Sequence, residues 1–365
     1  MLALTCTVHG IQSTAPPVKR HPEVSNPAAN EKLPVFLLTG FLGSGKTSLL
    51  SALLKAPAFA NTAVVVNEFG EIGLDHALVQ SSTDNVVLLE AGCLCCTIAD
   101  SLHETLADLH FRRVRGELPP FERVVIETTG LADPAPILNT LLGHKLVTEH
   151  YRLAAVLVTV DAVHFDKELA RHREVAKQIA VADRLLITKV DLAPAERLEE
   201  RLRSMNPGAE VIRSRNGSAA LEAFAPHHSA NVKPPEGIHH HLHAEDIRAH
   251  CFVLDGPVSW SGVTAWSRLM SATLGERLLR CKGLLEIADT GEVLFLQGVQ
   301  DIFHAPERLS GWPDADHRSR LVCITRDVEE SELRDMLPAL ELPAGSDPNV
   351  IGYDFQERLS RRSSQ

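Results

Sequence analysis

The 365-residue chain contains no apolar run approaching the roughly 20 residues needed to cross a bilayer. It also lacks an excess of positive charge: 36 Lys+Arg stand against 47 Asp+Glu, for a formal charge of −11. That balance supplies no broad field for nucleic acid or anionic lipid, so neither nucleic acid nor a membrane is expected as a partner. The opening stretch from Met1 to Gly10 is apolar but has no basic n-region and no clear cleavage site, and residues 1–32 are poor in arginine. No signal or transit peptide is read there, and a soluble, cytoplasmic protein is expected. The spacing of a disulfide framework is missing as well. Of seven cysteines, Cys93, Cys95 and Cys96 fall within four residues, a pattern of a thiolate metal or redox site in a reducing compartment. No internal repeat is found. At 44% hydrophobic and 23% charged residues, the composition is that of a folded chain and excludes disorder over the whole length.

Residues 1–32, with Pro16, Pro17, Pro22 and Pro27 among polar neighbours, are expected to form a flexible tail. From Leu33 short apolar runs alternate with helical spacing. Strands are predicted at Val35–Thr39, Ala63–Val66, Val86–Leu89, Arg123–Ile126, Leu153–Val160 and Arg184–Ile187. Helices are predicted at Lys46–Lys55, Ile98–Val114, around Ile137–Leu142, at Arg171–Val181 and at Ala195–Met205. Such alternation gives crossover units and a mostly parallel sheet over residues 33–224. Residues 225–246 read as a linker rich in histidine. Residues 247–340 mix strands at His250–Leu254, Leu278–Ala288, Glu292–Gly298 and Arg320–Thr325 with helices at Val263–Ala272 and Glu329–Leu337, which implies a small α+β domain. Residues 341–365 are expected to be loose.

Gly40-Phe41-Leu42-Gly43-Ser44-Gly45-Lys46-Thr47 fits G-x-x-x-x-G-K-[ST] between a predicted strand and a predicted helix, the context of a phosphate-binding loop. Gly40, Gly43 and Gly45 let backbone N–H groups turn toward phosphate oxygens, and the helix beginning with Lys46, Thr47 and Ser48 adds its positive end. Lys46 is placed to reach the β- and γ-phosphates, and the Thr47 hydroxyl to bind Mg²⁺. Val124-Val125-Ile126-Glu127-Thr128-Thr129-Gly130 ends a buried strand in an acid. Glu127 there can reach the Mg²⁺ shell or the attacking water. Thr188-Lys189-Val190-Asp191 follows another buried strand. A carboxylate at Asp191 can accept from the N1–H and exocyclic amine of guanine, a donor pair that adenine does not offer. Lys189 would lie along the base or brace the phosphate loop. Thr188 stands where asparagine is commoner.

The thiols of Cys93, Cys95 and Cys96 present soft ligands for Zn²⁺, Co²⁺ or Cu⁺. With at most three ligands and no second C-x-x-C, the site keeps a position for a distant ligand or for exchange; a disulfide switch is the alternative chemistry. Cys251, Cys281 and Cys323 lie in predicted strands and read as core. Between the phosphate loop and the cysteines, Asn67-Glu68-Phe69-Gly70-Glu71-Ile72-Gly73-Leu74-Asp75 has the composition of a switch loop. Its acids, Glu68 and Asp75 among them, would meet Mg²⁺, water or a transferred metal. His239, His240, His241 and His243 form an imidazole cluster able to hold Zn²⁺, Ni²⁺ or Co²⁺ loosely.

Taken together, G-F-L-G-S-G-K-T, N-E-F-G-E-I-G-L-D, G-C-L-C-C, E-T-T-G-L-A-D-P and T-K-V-D resemble the CobW-type GTPases, the cobalamin synthesis protein family. Arg280-Cys281-Lys282-Gly283, Gly298-Val299-Gln300, Trp312 and Arg320-Leu321-Val322 are similar to that family's C-terminal domain. The resemblance spans residues 33–340. It implies a GTP-hydrolysing domain that uses Mg²⁺, binds zinc or cobalt near the nucleotide and delivers it to a client metalloprotein. In this sequence the phosphate role falls on Gly43 to Thr47, guanine reading on Lys189 and Asp191, and metal binding on Cys93, Cys95 and Cys96. Glu127, with Asp75, would orient water. A metal buffer with a regulatory nucleotide site predicts tight metal binding without turnover. A small-molecule kinase predicts ATP preference and gives the cysteines no purpose. Oligomeric state is open.

Overall fold

The computed structural model describes residues 32–66, 86–90, 98–215, 220–225 and 247–347. Seven strands form the first sheet: β1 (Leu33–Gly40), β2 (Thr62–Val66), β3 (Val86–Glu90), β4 (Arg123–Glu127), β5 (Tyr151–Asp161), β6 (Arg184–Thr188) and β7 (Glu210–Arg213). Their order is β3-β2-β4-β1-β5-β6-β7, and every neighbouring pair is parallel. Helices α1 (Lys46–Leu54), α2 (Ile98–Val114), α3 (Ala135–Gly143), α4 (Lys145–His150), α5 (Phe165–Leu169), α6 (Arg173–Val181), α7 (Glu196–Met205) and α8 (Ala220–Ala223) provide the crossovers and cover the sheet.

The continuous apolar runs are explained by burial on both faces. In β1, Val35 and Leu37 join the cluster that includes Leu138, Ile179 and Leu202, whereas Phe36 and Leu38 join Leu49, Leu50 and Leu53 of α1 on the opposite face. The chain leaves β1 toward β2 on one side and later crosses from β4 to β5 on the other. β1 is therefore the point where strand order reverses, the place at which open α/β sheets take ligands beyond their strand carboxyl ends.

The second sheet comprises β8 (Ile247–Val253), β9 (Leu278–Glu286), β10 (Val293–Val299), β11 (Ile302–Phe303), β12 (Glu307–Leu309) and β13 (Arg320–Arg326). It is antiparallel, ordered β11-β10-β9-β13-β8, with β12 also on β10. One face packs on α9 (Trp260–Leu274) and on Leu333 of α10 (Glu330–Arg334). Ser259 caps α9 by accepting from the Gly262 amide at 2.9 Å. The other face puts Leu284, Phe295, Val322 and Ile324 into the same cluster as Ala176 and Ile179 of α6, so the two sheets share a core. Within that interface the buried Lys282 ammonium meets the buried Asp183 carboxylate, whose second oxygen accepts from the Val156 amide at 2.7 Å.

Three expectations need correction. The last helix does not run from Glu329 to Leu337. It ends at Arg334, and Leu337–Glu341 forms a 3₁₀ turn, because Pro338 has no N–H and its ring would meet the Arg334 carbonyl. Helix α6 begins at Arg173, two residues later than the spacing predicts. Cys251 is only half-buried, while Cys281 and Cys323 are core residues facing each other across β9 and β13, with their sulfurs 3.6 Å apart. Among the described residues, no helix is long and apolar enough to cross a membrane.

Candidate active site

The phosphate loop leaves the central strand and closes tightly on itself. The Ser44 amide donates to the Phe41 carbonyl at 3.1 Å, and Gly40, Gly43 and Gly45 have φ of 140°, 72° and 96°. Gly40 is obligatory on steric grounds too: a Cβ there would sit 2.3 Å from the Thr159 hydroxyl oxygen and 2.5 Å from its carbonyl. Lys46 is buried, and its ammonium folds back over the loop to donate to the Gly40 and Phe41 carbonyls at 2.9 and 3.2 Å. Thr47 and Ser48 are exposed at the first turn of α1.

Beneath this loop runs a row of hydroxyls drawn from the carboxyl ends of adjacent strands. Thr128 donates to Thr39 at 2.7 Å. Ser44 donates to the Phe41 carbonyl at 2.7 Å, and its hydroxyl lies 2.6 Å from that of Thr159. Thr188 donates to the Ser44 carbonyl at 2.7 Å. Thr39, Ser44, Thr128, Thr159 and Thr188 are all buried. The roles of Thr39, Thr128 and Thr159 are not evident from the sequence, although four apolar runs each carry a threonine within two residues of the strand end.

Glu127 ends β4 fully buried, and its Oε1 accepts from the Thr47 hydroxyl at 3.3 Å. A hydroxyl and a carboxylate converging beside the phosphate loop are hard oxygen donors, the set that Mg²⁺ prefers, so these residues fit that ion. Immediately downstream, Gly130 lies against the phosphate loop: a Cβ on it would stand 2.6 Å from the Leu42 nitrogen.

On the other flank, Lys189 adopts φ of 56°, a conformation uncommon outside glycine. Its ammonium does not rest on the phosphate loop. It pairs with Asp161 Oδ2 at 2.6 Å, and the bracing of that loop falls to Thr188. Asp161 also accepts from the Val163 amide at 2.8 Å and meets His164 Nδ1 at 2.9 Å. Burial would raise its carboxyl, but the hydrogen bonds from Lys189, His164 and Val163 together hold it below the usual carboxylate range. Glu168 completes a cluster with Asp161 and His164 whose ligand atoms lie within 4.8 Å of one another. Asp191 is exposed at the rim.

The structure thus gathers Gly40 to Ser48, Glu127 and Thr188 to Asp191 along one edge of the sheet. Glu68, Asp75, Cys93, Cys95, Cys96, His239, His240, His241 and His243 lie outside the described residues.

A parallel α/β sheet with a glycine-rich loop at its switch point defines a P-loop nucleotide-binding protein. Residues 34–213 match the CobW/HypB/UreG nucleotide-binding domain, and residues 247–341 match the cobalamin synthesis protein cobW C-terminal domain. The chain is similar to the zinc chaperone YjiA of Escherichia coli, with 35% identity over 307 residues, 82% of this chain and 96% of that protein. It is 26% identical to the zinc-regulated GTPase metalloprotein activator 1 of Schizosaccharomyces pombe, covering 84% of this chain and 85% of that one. The crystal structure of Zn(II)-bound YjiA GTPase from E. coli aligns with a TM-score of 0.68 at 31% identity, covering 85% of this chain and 99% of that chain. The protein belongs to the CobW-type P-loop GTPase family.

Proposed function

We propose that this chain hydrolyses GTP and uses the nucleotide cycle to deliver a transition metal, zinc or cobalt, from Cys93, Cys95 and Cys96 to a client metalloprotein. The observation that carries the catalytic half is the 3.3 Å contact between the Thr47 hydroxyl and Glu127 beside the phosphate loop. Thr47 and Glu127 would hold Mg²⁺, which supplies charge neutralisation at the β- and γ-phosphates. Lys46, now lying on the loop carbonyls, exchanges those acceptors for phosphate oxygens when nucleotide enters. Gly40, Gly43, Ser44, Gly45 and Ser48 shape the phosphate cradle. Asp191 reads the guanine edge, with Lys189 beside it. Glu127, joined by Asp75, orients the attacking water.

The metal half rests on the soft sulfur ligands and on relatives whose names describe zinc chaperones. Glu68 and the histidines His239, His240, His241 and His243 serve as auxiliary ligands. The working division is a tail at 1–32, the GTPase domain at 33–224, a linker at 225–246, a client-facing domain at 247–340 and a second tail at 341–365, all acting in the cytoplasm.

Steady-state turnover with GTP and ATP, with and without Mg²⁺, tests the reading. Wild type should prefer GTP and require Mg²⁺, and Glu127→Gln should bind GDP normally yet lose turnover by about 100-fold or more. Tight metal binding with no turnover in the wild type would leave a metal buffer. ATP preference would leave a kinase.

A further inference from the structure

The loop that follows Glu127 is held in place from outside the motifs. It runs from Thr128 to Pro134 and feeds α3. On one side Gly130 lies against the backbone of Leu42, so close that a side chain at 130 would strike the phosphate loop. On the other side stands α6. Gln178 of that helix is 1% exposed, and its single amide nitrogen lies 3.2 Å from both the Gly130 carbonyl and the Ala132 carbonyl. Both amide hydrogens are therefore spent on the same loop. The preceding residue reinforces the grip: Lys177 Nζ is 2.5 Å from Asp133 Oδ2, while Asp133 Oδ1 accepts from the Ala135 amide at 3.0 Å and starts α3. Between the two anchored carbonyls, Leu131 points outward and is half exposed.

We infer that Gln178 is a positioning residue for GTP hydrolysis, fixing the Gly130–Ala132 backbone against the phosphate loop so that Glu127 and its neighbours stand ready for the transition state. The inference rests on the GTPase reading above. The physical reasoning is that a backbone segment beside the γ-phosphate contributes to rate only if it is held before the reaction begins. The loop has few internal bonds to hold it. The Thr128 amide is taken by the Leu38 carbonyl and the Ala132 amide by the Thr129 carbonyl, which leaves the Gly130 and Ala132 carbonyls to Gln178. The phosphate loop is built from Gly40 to Thr47 and the hydroxyl row beneath it, with no contribution from α6 to those bonds. Loss of the Gln178 amide should therefore leave nucleotide binding intact and slow the chemical step. A residue that merely stabilises the fold would lower stability and affinity together, with no selective effect on kcat.

The experiment is steady-state GTP hydrolysis, GDP titration and thermal melting of the full chain as wild type, Gln178→Met and Lys177→Met. Gln178→Met keeps the side-chain length and removes both donors. Its kcat should fall on the order of 10- to 100-fold while KM for GTP and Kd for GDP stay within about twofold. Lys177→Met loosens the same loop from its half-exposed side and should show a smaller fall in kcat of the same kind. If Gln178→Met does not fold, Lys177→Met decides alone: a selective loss of kcat supports the clamp, and wild-type kcat overturns it. Unchanged kcat in Gln178→Met, or a loss confined to KM, overturns the assignment while the GTPase reading stands. A wild type without GTP turnover refutes that reading instead.

Discussion

The Thr188 hydroxyl donates to the Ser44 carbonyl at 2.7 Å and thereby ties the end of β6, where the base would be read, to the middle of the phosphate loop. Gly45, between the two, is required by its left-handed backbone (φ 96°) and not by crowding, since a Cβ there would make ordinary van der Waals contact with Thr188 Cγ2 at 3.5 Å. Thr188→Val keeps the shape and removes the donor. The Ser44 carbonyl then loses a buried partner, at a cost of about 1–3 kcal/mol. Urea unfolding and GDP titration should both report weakening, and an unchanged midpoint and affinity would count against the brace.

Asp161 gives Lys189 its place. The buried carboxylate holds the ammonium at 2.6 Å while Lys189 keeps its left-handed backbone. Asp161→Asn keeps the volume but removes the charge, so Lys189 is no longer fixed beside the base site. KM for GTP should rise about tenfold with kcat nearly unchanged. Equal falls in kcat and kcat/KM would show instead that Asp161 acts in the chemical step.

The buried pair of Lys282 and Asp183 joins the two sheets. Burial alone would raise the Asp183 carboxyl, but the Lys282 and Arg280 cations and the hydrogen bonds from Lys282 and the Val156 amide hold it below the usual carboxylate range. A carboxyl held low in the folded state contributes stability that is complete above about pH 4 and is lost as the pH falls through the folded value. Lys282→Met removes the cation hydrogen-bonded to Asp183, leaves it the Arg280 charge and the Val156 amide, and should cost about 3 kcal/mol at neutral pH. Denaturant unfolding should show the gap between wild type and variant narrowing on the acid side, where Asp183 in the variant takes up a proton. A gap independent of pH would contradict the charge argument.

Six strands of the first sheet were legible as short apolar runs, whereas β7 (Glu210–Arg213), polar at both ends and partly exposed, was not; the phosphate loop was legible because its glycines and lysine recur at fixed spacing. The supporting parts were harder to read. Thr39, Thr128 and Thr159 resemble ordinary strand residues, and only the parallel register brings Thr128 onto Thr39 and Thr159 onto Ser44. Gln178 looks like one polar position on a helix, since its partners lie 46 and 48 residues earlier in the chain. The burial of Lys282 follows only from the packing of the second sheet on α6. Pro338 is the sequence feature that places the end of the last helix at Arg334.

Metal affinity in the two nucleotide states tests the central claim most directly. Zn²⁺ and Co²⁺ would be titrated by competition against the full chain with GTP-Mg²⁺ and with GDP-Mg²⁺, with Cys95→Ala as the control. Nucleotide-driven transfer requires affinities that differ between the two states. A GTP-gated carrier should bind metal tightly in one state, at least about tenfold more weakly in the other, and lose that binding in Cys95→Ala. Equal affinity with GTP and GDP, or tight binding that survives Cys95→Ala, would contradict it.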